Sequence, residues 1–390
     1  MKYRTVTERS LFAVGVLPLI LSLAALAVLC AVLRIPMADA LVYRAEGAAV
    51  AHGTDLYGFT VTRWHLPATY PPFAAILFVP ATWLPVPVLK AVFAVGNALL
   101  LALLVRLSCR FAGIAPRPAA LPAAIAAALW LEPVFQTLLF GQINLALTCL
   151  VLWDLTRPPG SLGKGFAVGV AAGIKLTPAL FLLHALLTGR RREAATGAAA
   201  FAGTVLLGAL VLPGASADFW TRRLFETDRV GKAWIVDNQS LQGLVARVLH
   251  TSAPGAVWVA VAGAVAAAGL WTARRSHERW GVLVTALTAL LVSPISWSHH
   301  WVWCVPLLAV LVAEGRTRTA VAVAAVFAVR TLWLVPHEGD LDLHLPWWQQ
   351  PLASPYALLG LAVLGCAAAR ARTQPRSPAS RSSASTMRYA

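Results

Sequence analysis

Residues 11–33 read LFAVGVLPLILSLAALAVLCAVL, a run without charge that is long enough to cross a membrane as one helix. Lys2, Arg4 and Arg9 precede the run and no small-residue cleavage site follows it, so we interpret it as an anchor and not as a signal peptide. The whole chain extends this pattern, because 59% of its 390 residues are hydrophobic and only 12% are charged. Soluble domains carry about 25% charged residues. The composition therefore predicts an all-α polytopic membrane protein.

The basic residues predict which ends of the helices face the cytoplasm. The formal net charge of +16 is carried by lysines and arginines that cluster in short segments between apolar runs. This is the positive-inside pattern of membrane proteins, and we do not expect nucleic acid as a partner. Both termini are predicted to be cytoplasmic, and residues 371–390 a basic, disordered tail. The predicted inner segments are 106–117, 157–164, 190–192, 274–279 and 316–318.

Alternating crossings between these segments predict one membrane domain over residues 1–370, with about ten to twelve membrane helices. Three larger outer loops are expected at about 34–87, 213–254 and 337–350. The apolar run 165–188 is flanked by basic residues at both ends, so both ends are predicted to be cytoplasmic. A re-entrant pair of half-helices that turns around Lys175, Thr177 and Pro178 satisfies this constraint, because proline breaks a helix and the free backbone can line a polar cavity.

Two aspartates of the first outer loop are candidates for acid–base chemistry. Asp39 follows the first helix, where a carboxylate could act as a general base on an acceptor hydroxyl; it could equally cap a helix. Asp55, in GTDLY, is interpreted first as a turn or cap residue and only second as a functional one.

Polar side chains inside the membrane need a partner or a function. The amides of Gln142 and Asn144 could bind sugar hydroxyls or join helices. Lys175 could hold a phosphate, pair with Asp154, or snorkel. Arg330 could hold a lipid phosphate or snorkel to the outer interface.

The stretch SPISWSHHWVW places His299 and His300 at the outer start of a helix, among tryptophans of an interfacial belt. One histidine could donate to a phosphate leaving group while the other packs. We expect no metal site: adjacent side chains on a helix diverge, the five cysteines lack metal-binding spacing, and the string Asp340–Leu341–Asp342 is interpreted as a plain acidic loop.

Several of these stretches, taken in order, resemble glycosyltransferase family 87. They are DALVYRAEGAAVAHGTDLY, ATYPPFAAILFVPATWLP, LFGQINLALTCLVLWDL, GVAAGIKLTPALFLL, DNQSLQG and SPISWSHHWVW, spread from about residue 39 to residue 303. The resemblance implies the GT-C membrane fold and an inverting transfer of mannose. The implied donor is polyprenyl-phosphate-mannose, and the implied acceptor is a glycolipid, glycan or glycoprotein on the outer face of the plasma membrane. The lipid-linked sugar is a substrate, and no cofactor is implied.

By position, the resemblance implies that Asp39 is the catalytic base and that the histidine pair binds the donor phosphate. Lys175 is a further phosphate candidate, and so is Arg330, although its assignment rests on depth alone. The sugar or acceptor contacts are expected from Asp55, Tyr57, Tyr70, Gln142, Asn144, Asn238 and Gln239. An arabinofuranosyltransferase that uses decaprenyl-phosphate-arabinose fits the same motifs. A secondary transporter or flippase is the alternative from another class, although transporters concentrate ionisable groups near the membrane midplane and here the acids gather in the outer loops.

Overall fold

Apolar runs and their proline or glycine breaks set the helix boundaries in the computed structural model, which describes residues 2–115 and 120–373. The predicted tail from residue 374 onwards lies outside the described residues, as do positions 116 and 117 of a predicted basic segment. A short antiparallel ladder pairs β1 (Thr60–Val61) with β2 (Leu66–Pro67). In chain order the α-helices are α1 (Lys2–Val32), α2 (Ala38–His52), α3 (Pro72–Phe78), α4 (Val86–Ala112), α5 (Ala120–Leu129), α6 (Glu132–Phe140), α7 (Asn144–Leu155), α8 (Phe166–Ile174), α9 (Ala179–Leu187), α10 (Arg191–Val211), α11 (Pro213–Asp218), α12 (Leu241–Val248), α13 (Gly255–Arg275), α14 (Glu278–Val292), α15 (Cys304–Ala313), α16 (Thr317–Val329), α17 (Gln350–Ala353) and α18 (Pro355–Thr373).

Four of the described helices are long and apolar enough to cross a membrane alone: α1 from Gly15 onwards, α4, α10 and α13. Helices α5 and α6 together form a fifth, broken candidate, bent by 74°. The all-α polytopic prediction is confirmed. The predicted ten to twelve membrane helices included several apolar runs that fold as shorter helices, from nine residues in α8 to fifteen in α14. One crossing needs roughly 20 residues, so these helices are too short to cross a membrane alone.

Helices α8 and α9 fold back on each other as a hairpin. Lys175, between them, has an extended backbone that ends α8. Helix α8 runs parallel to α10, and a side chain added at Gly169 would clash with the carbonyl of Gly197. The first and last residues of the hairpin lie next to the same carboxylate. Glu193 is 3.4 Å from Nζ of Lys164, before α8, and 3.9 Å from the guanidinium of Arg190, after α9. The hairpin therefore enters and leaves at the same end of the bundle, as the basic flanks predicted.

The basic segments share this end of the molecule, which we call the basic end. Arg190 reaches Glu278 at the start of α14, and Trp280 in the same turn of that helix donates to Glu314 at 2.5 Å. Arg370 of α18 lies over the Trp280 ring. These contacts join the ends of α9, α14, α15 and α18. Basic residues that are far apart in the sequence therefore lie together at one end of the fold.

Glu132 anchors the opposite half of the bundle. It is fully buried and accepts hydrogen bonds from Ser298 (2.7 Å), Trp333 (3.1 Å) and Tyr356 (2.9 Å). A buried carboxylate is stable only when its oxygens are satisfied in this way. These bonds hold α6 and α18 against the 3₁₀ segment Ser298–Trp303, which carries the paired histidines.

Candidate active site

Lys175 is the centre of a polar cluster formed by four separate parts of the chain. Its ammonium donates to Oδ1 of Asn144 at 3.1 Å and lies 2.8 Å from Nε2 of His300. The ring of Tyr70 lies 5.6 Å away, within range of a cation–π interaction. The break between α8 and α9 makes this possible, since it aims the lysine at α7 and at the histidine segment.

The cluster lies at the end of α8 that is opposite to the basic end. At the basic end, Oδ2 of Asp154 accepts the N–H groups of Gly165, Ala167 and Val168 and so caps α8. Lys175 follows that cap by about ten residues, or roughly 15 Å of helix. Asp154 also pairs with Arg157 at 3.2 Å. The alternative in which Lys175 pairs with Asp154 is therefore wrong.

Asp39 joins the cluster from the first turn of α2. The side-chain amide of Gln142 and the charge of Lys175 both lower the pKa of its carboxylate. Two hydroxyls orient that amide, because Oε1 of Gln142 accepts from Tyr43 at 2.7 Å and from Tyr70 at 3.3 Å. The nitrogen of Gln142 is thereby left to face Asp39. Asp39 itself is partly exposed, so a ligand can reach it.

The surroundings of Asp39 raise its pKa to about 7. Loss of hydration is the largest cause, opposed by the Gln142 hydrogen bond and by the charge of Lys175, while the negative charge of Asp237 raises the pKa further. A base with a pKa near the working pH combines a large unprotonated fraction with a useful proton affinity. The environment of Asp39 thus suits proton abstraction near neutral pH.

The adjacent histidines are in different environments. Nε2 of His300 faces Lys175, whereas the His299 ring is only 4% exposed and packs edge-on against Phe140. Neither ring nitrogen of His299 has a hydrogen-bond partner, but its backbone carbonyl accepts from Asn144 at 3.0 Å and from Thr137 at 3.2 Å. His299 therefore anchors the segment that presents His300 to the cluster.

Asn238 and Gln239 lie apart from the cluster and are fully buried. The Asn238 side chain bonds to the backbone of Ala233, Ser240, Pro294 and Ser296, and the Gln239 side chain to that of Val236, Ala353 and Tyr356. Their hydrogen-bonding capacity is used within the fold.

Asp237, the preceding residue, was not among the residues predicted from the sequence. It is partly exposed, its Oδ1 accepts the N–H of Ser298 at 3.1 Å, and its charge acts on Asp39. Its presence in the quoted stretch DNQSLQG was the available signal.

The remaining candidates in the first outer loop have structural contacts. Asp55 is exposed and accepts the N–H of Tyr57 at 2.9 Å, the geometry of a local turn. Tyr57 is buried and donates to the carbonyl of Tyr70 at 2.9 Å, which fixes the loop that carries Tyr70.

Arg330 lies outside the cluster, with its guanidinium 4.1 Å from the centre of the Phe135 ring and 3.4 Å from the carbonyl of Trp130. Of the two aspartates in the 340–342 string, Asp340 pairs with Lys232 at 2.5 Å, and Asp342 accepts the N–H of Val236 at 3.0 Å. Within the described ranges, no three His, Cys, Asp or Glu side chains are grouped to hold a metal ion.

The fold is that of a multi-pass membrane protein, and its polar cluster places the carboxylate of Asp39 close to Lys175 and His300. Residues 68–294 match the model of Glycosyltransferase family 87, which is more than half of the chain. The chain belongs to this family. The predicted family, and with it the prediction of a glycosyltransferase, is confirmed.

Three curated relatives cover most of the chain. The chain is 34% identical to a polyprenol-phosphate-mannose-dependent alpha-(1-2)-phosphatidylinositol mannoside mannosyltransferase of Mycobacterium tuberculosis, over 83% of this chain and 82% of the relative. It is 32% identical to the protein of the same description in Mycolicibacterium smegmatis, over 83% and 81%. A phosphatidylinositol pentamannoside mannosyltransferase of Mycobacterium tuberculosis is 33% identical over 86% and 81%. No solved structure matches this chain significantly.

Proposed function

We propose that the chain transfers mannose, with inversion, from polyprenyl-phosphate-mannose to a glycolipid or cell-envelope glycan on the outer face of the plasma membrane. The single observation that carries the proposal is the meeting of Asp39 with Lys175 and His300 in one cluster, in a chain of this family. The relatives' descriptions state the donor, and they state a phosphatidylinositol mannoside as the acceptor. We propose an acceptor of the same class here.

Asp39 acts as the general base of this reaction. It takes the proton of the acceptor hydroxyl as that oxygen attacks the anomeric carbon of the donor. The new glycosidic C–O bond forms while the bond from the anomeric carbon to the phosphate oxygen breaks, and polyprenyl phosphate leaves with the bonding electrons. One displacement inverts the anomeric centre, so a single carboxylate is sufficient.

Lys175 and His300 bind the phosphate that leaves. Their 2.8 Å contact means that, without an anion, the ammonium donates to an unprotonated Nε2 of His300. A phosphate oxygen placed between them can accept from Lys175, and also from His300 once the imidazole takes the tautomer with its proton on Nε2. Both interactions strengthen as charge develops on the leaving group. Asn144 keeps the lysine in position through Oδ1.

A crevice of about 40 Å³ continues from this site between α7, α9 and α14. Lys175, Asn144 and His300 line its polar part, and Leu147 and Phe181 belong to its apolar part. We propose that the donor's prenyl chain leaves the site along this apolar side, because a lipid-linked phosphate needs an apolar path next to its charged group.

The acceptor approaches from the side of Asp237. That carboxylate is partly exposed and close enough to influence Asp39, so it can accept a hydrogen bond from a second hydroxyl of the acceptor sugar. Tyr70 and Gln142 complete the polar wall next to Asp39.

The basic end supports cytoplasmic termini and a site that opens outward. Lys164, Arg190 and Arg370 lie at that end, while Asp39 and Asp237 belong to loops of the opposite half. In a cysteine-free background, Arg191→Cys should react with an impermeant thiol reagent only from the cytoplasmic side; reaction from outside would contradict this orientation.

Purified chain in lipid nanodiscs tests the function directly. It is incubated with a phosphatidylinositol mannoside acceptor and either polyprenyl-phosphate-mannose or polyprenyl-phosphate-arabinose, and products are identified by mass spectrometry. We expect a product one hexose heavier with the mannose donor. A pentose product would show the arabinose alternative to be right, and no product with either donor would contradict the proposal. A secondary transporter or flippase would form no glycosylated product, so sugar transfer is the decisive readout.

A further inference from the structure

The basic end contains a crevice that is independent of the candidate active site. Its volume is about 540 Å³, and it lies where α14, α15, α16 and α18 meet. Drug-sized ligands occupy pockets of about 300–1,000 Å³, which is also enough room for part of one acyl chain. We propose that this crevice binds an anionic phospholipid, with the phosphate among arginines at its mouth and part of an acyl chain in its interior.

The lining of the crevice changes from polar to apolar in the way that a phospholipid requires. Its apolar part is formed by side chains from α15, α16 and α18, namely Leu307, Leu311, Val323, Leu359 and Val363. Its polar part contains Arg279, Arg316, Arg370 and Trp280. Tryptophan is enriched at the headgroup level of membranes, and basic pockets between helices on the cytoplasmic side suit anionic headgroups.

The charges at the mouth favour an anion over a zwitterionic headgroup. Three arginines stand against one carboxylate, Glu314, which is already engaged by Trp280 at 2.5 Å and by Arg316 at 3.9 Å. The Arg370 guanidinium lies 6.0 Å from the Trp280 ring and is exposed. The mouth therefore keeps a positive charge that the protein's own acids do not neutralise.

The crevice is also open where a lipid would have to enter. Ala362 and Cys366 line it from α18 and are both exposed. An apolar protein segment would fill the interior but would leave the arginines without a counter-charge, which is why we assign a lipid and not a protein. None of the residues that line this crevice lines the crevice beside Lys175, so the two sites are separate.

Lipid retention tests this proposal on the full chain, with phosphatidylglycerol and phosphatidylcholine as the probes. The chain is reconstituted in nanodiscs that contain both lipids, extracted in mild detergent, and its bound lipids are counted by native mass spectrometry. The test variant is Arg279→Gln with Arg316→Gln and Arg370→Gln. The matched control is Arg274→Gln with Arg318→Gln and Arg372→Gln, three exposed arginines of the same sequence segments that do not line the crevice.

We expect wild type to retain phosphatidylglycerol in preference to phosphatidylcholine. The test variant should bind phosphatidylglycerol at least about tenfold more weakly than wild type does. The control should stay within about twofold of wild type. Ala362→Trp fills the apolar part of the crevice and keeps every charge, so this variant should also lose the lipid. If the triple variant does not fold, the lipid retention of Ala362→Trp is the test of the proposal. Equal retention of the two lipids by wild type, or equal retention by test and control variants, would overturn the proposal.

Discussion

The ammonium of Lys175 lies 2.8 Å from Nε2 of His300, although the two residues are 125 positions apart in the chain. The contact joins the break of the α8–α9 hairpin to the 3₁₀ segment before α15. Asn144 holds both partners, through Oδ1 to Lys175 and through Nδ2 to the backbone of His299. The fold thus delivers a cation and an imidazole to the same point next to Asp39, and this point is where we place the donor phosphate.

Replacing Lys175 by methionine tests the phosphate site. The substitution keeps most of the side-chain volume and removes the positive charge that stabilises the leaving group. We expect kcat/KM for mannosyl transfer to fall by about 10²–10³, the usual effect of losing one preorganised donor. Lys232→Met is the control, because Lys232 is exposed and pairs with Asp340 at the surface. A loss of less than about fivefold at Lys175 would contradict the assignment.

The pH dependence of transfer follows from the raised pKa of Asp39, about 7. A general base works only in its unprotonated form, so kcat/KM should decline on the acid side of this pH. Below it, kcat/KM should fall about tenfold per pH unit as Asp39 takes up its proton. A profile that stays level down to pH 5 would show that another group, or no titrating group, accepts the proton.

Asp237→Asn should move the acidic limb of that profile to lower pH. The negative charge of Asp237 raises the pKa of Asp39, so removing the charge lowers it. A purely structural role for Asp237 would reduce the rate and leave the limb in place. The pH at half-maximal kcat/KM, compared between wild type and variant, separates the two roles.

Asn238→Ala should act on stability and not on substrate binding. The substitution leaves several buried backbone groups around residues 233, 294 and 296 without their side-chain partner. Each unsatisfied group costs about 1–3 kcal/mol of the free energy of unfolding, so the melting temperature in detergent should drop clearly. Asp340→Ala, at an exposed ion pair, serves as the control. An unchanged melting temperature together with a raised KM would instead place Asn238 in the sugar-binding site.

Much of the fold could be predicted from the charge pattern, because lipid imposes strong constraints on a sequence. Basic flanks at both ends of residues 165–188 predicted the hairpin, and Lys164 and Arg190 indeed meet at Glu193. The number of membrane helices was harder to predict. Apolar content alone does not show where a helix is interrupted, and the 74° bend between α5 and α6 or the extended Lys175 depends on tertiary packing.

The candidate site was predictable in its motifs but not in the direction of each side chain. Amides suit both sugar hydroxyls and backbone groups, so Asn238 and Gln239 could not be told apart from Gln142 and Asn144 without the fold. Similarly, nothing in the string of two histidines indicated which ring would be enclosed by Phe140 and which would face Lys175. The direction of each of these side chains is set by contacts between residues that are far apart in the sequence.

The most direct test of the account is the rate of mannosyl transfer by Asp39→Asn under single-turnover conditions with saturating polyprenyl-phosphate-mannose. The amide keeps the shape and cannot accept the proton, so we expect the rate to fall by about 10²–10⁴ while donor binding is retained. Asp55→Asn, at an exposed turn of the same loop, should keep the wild-type rate. If Asp39→Asn transfers mannose within about tenfold of wild type, Asp39 is not the base.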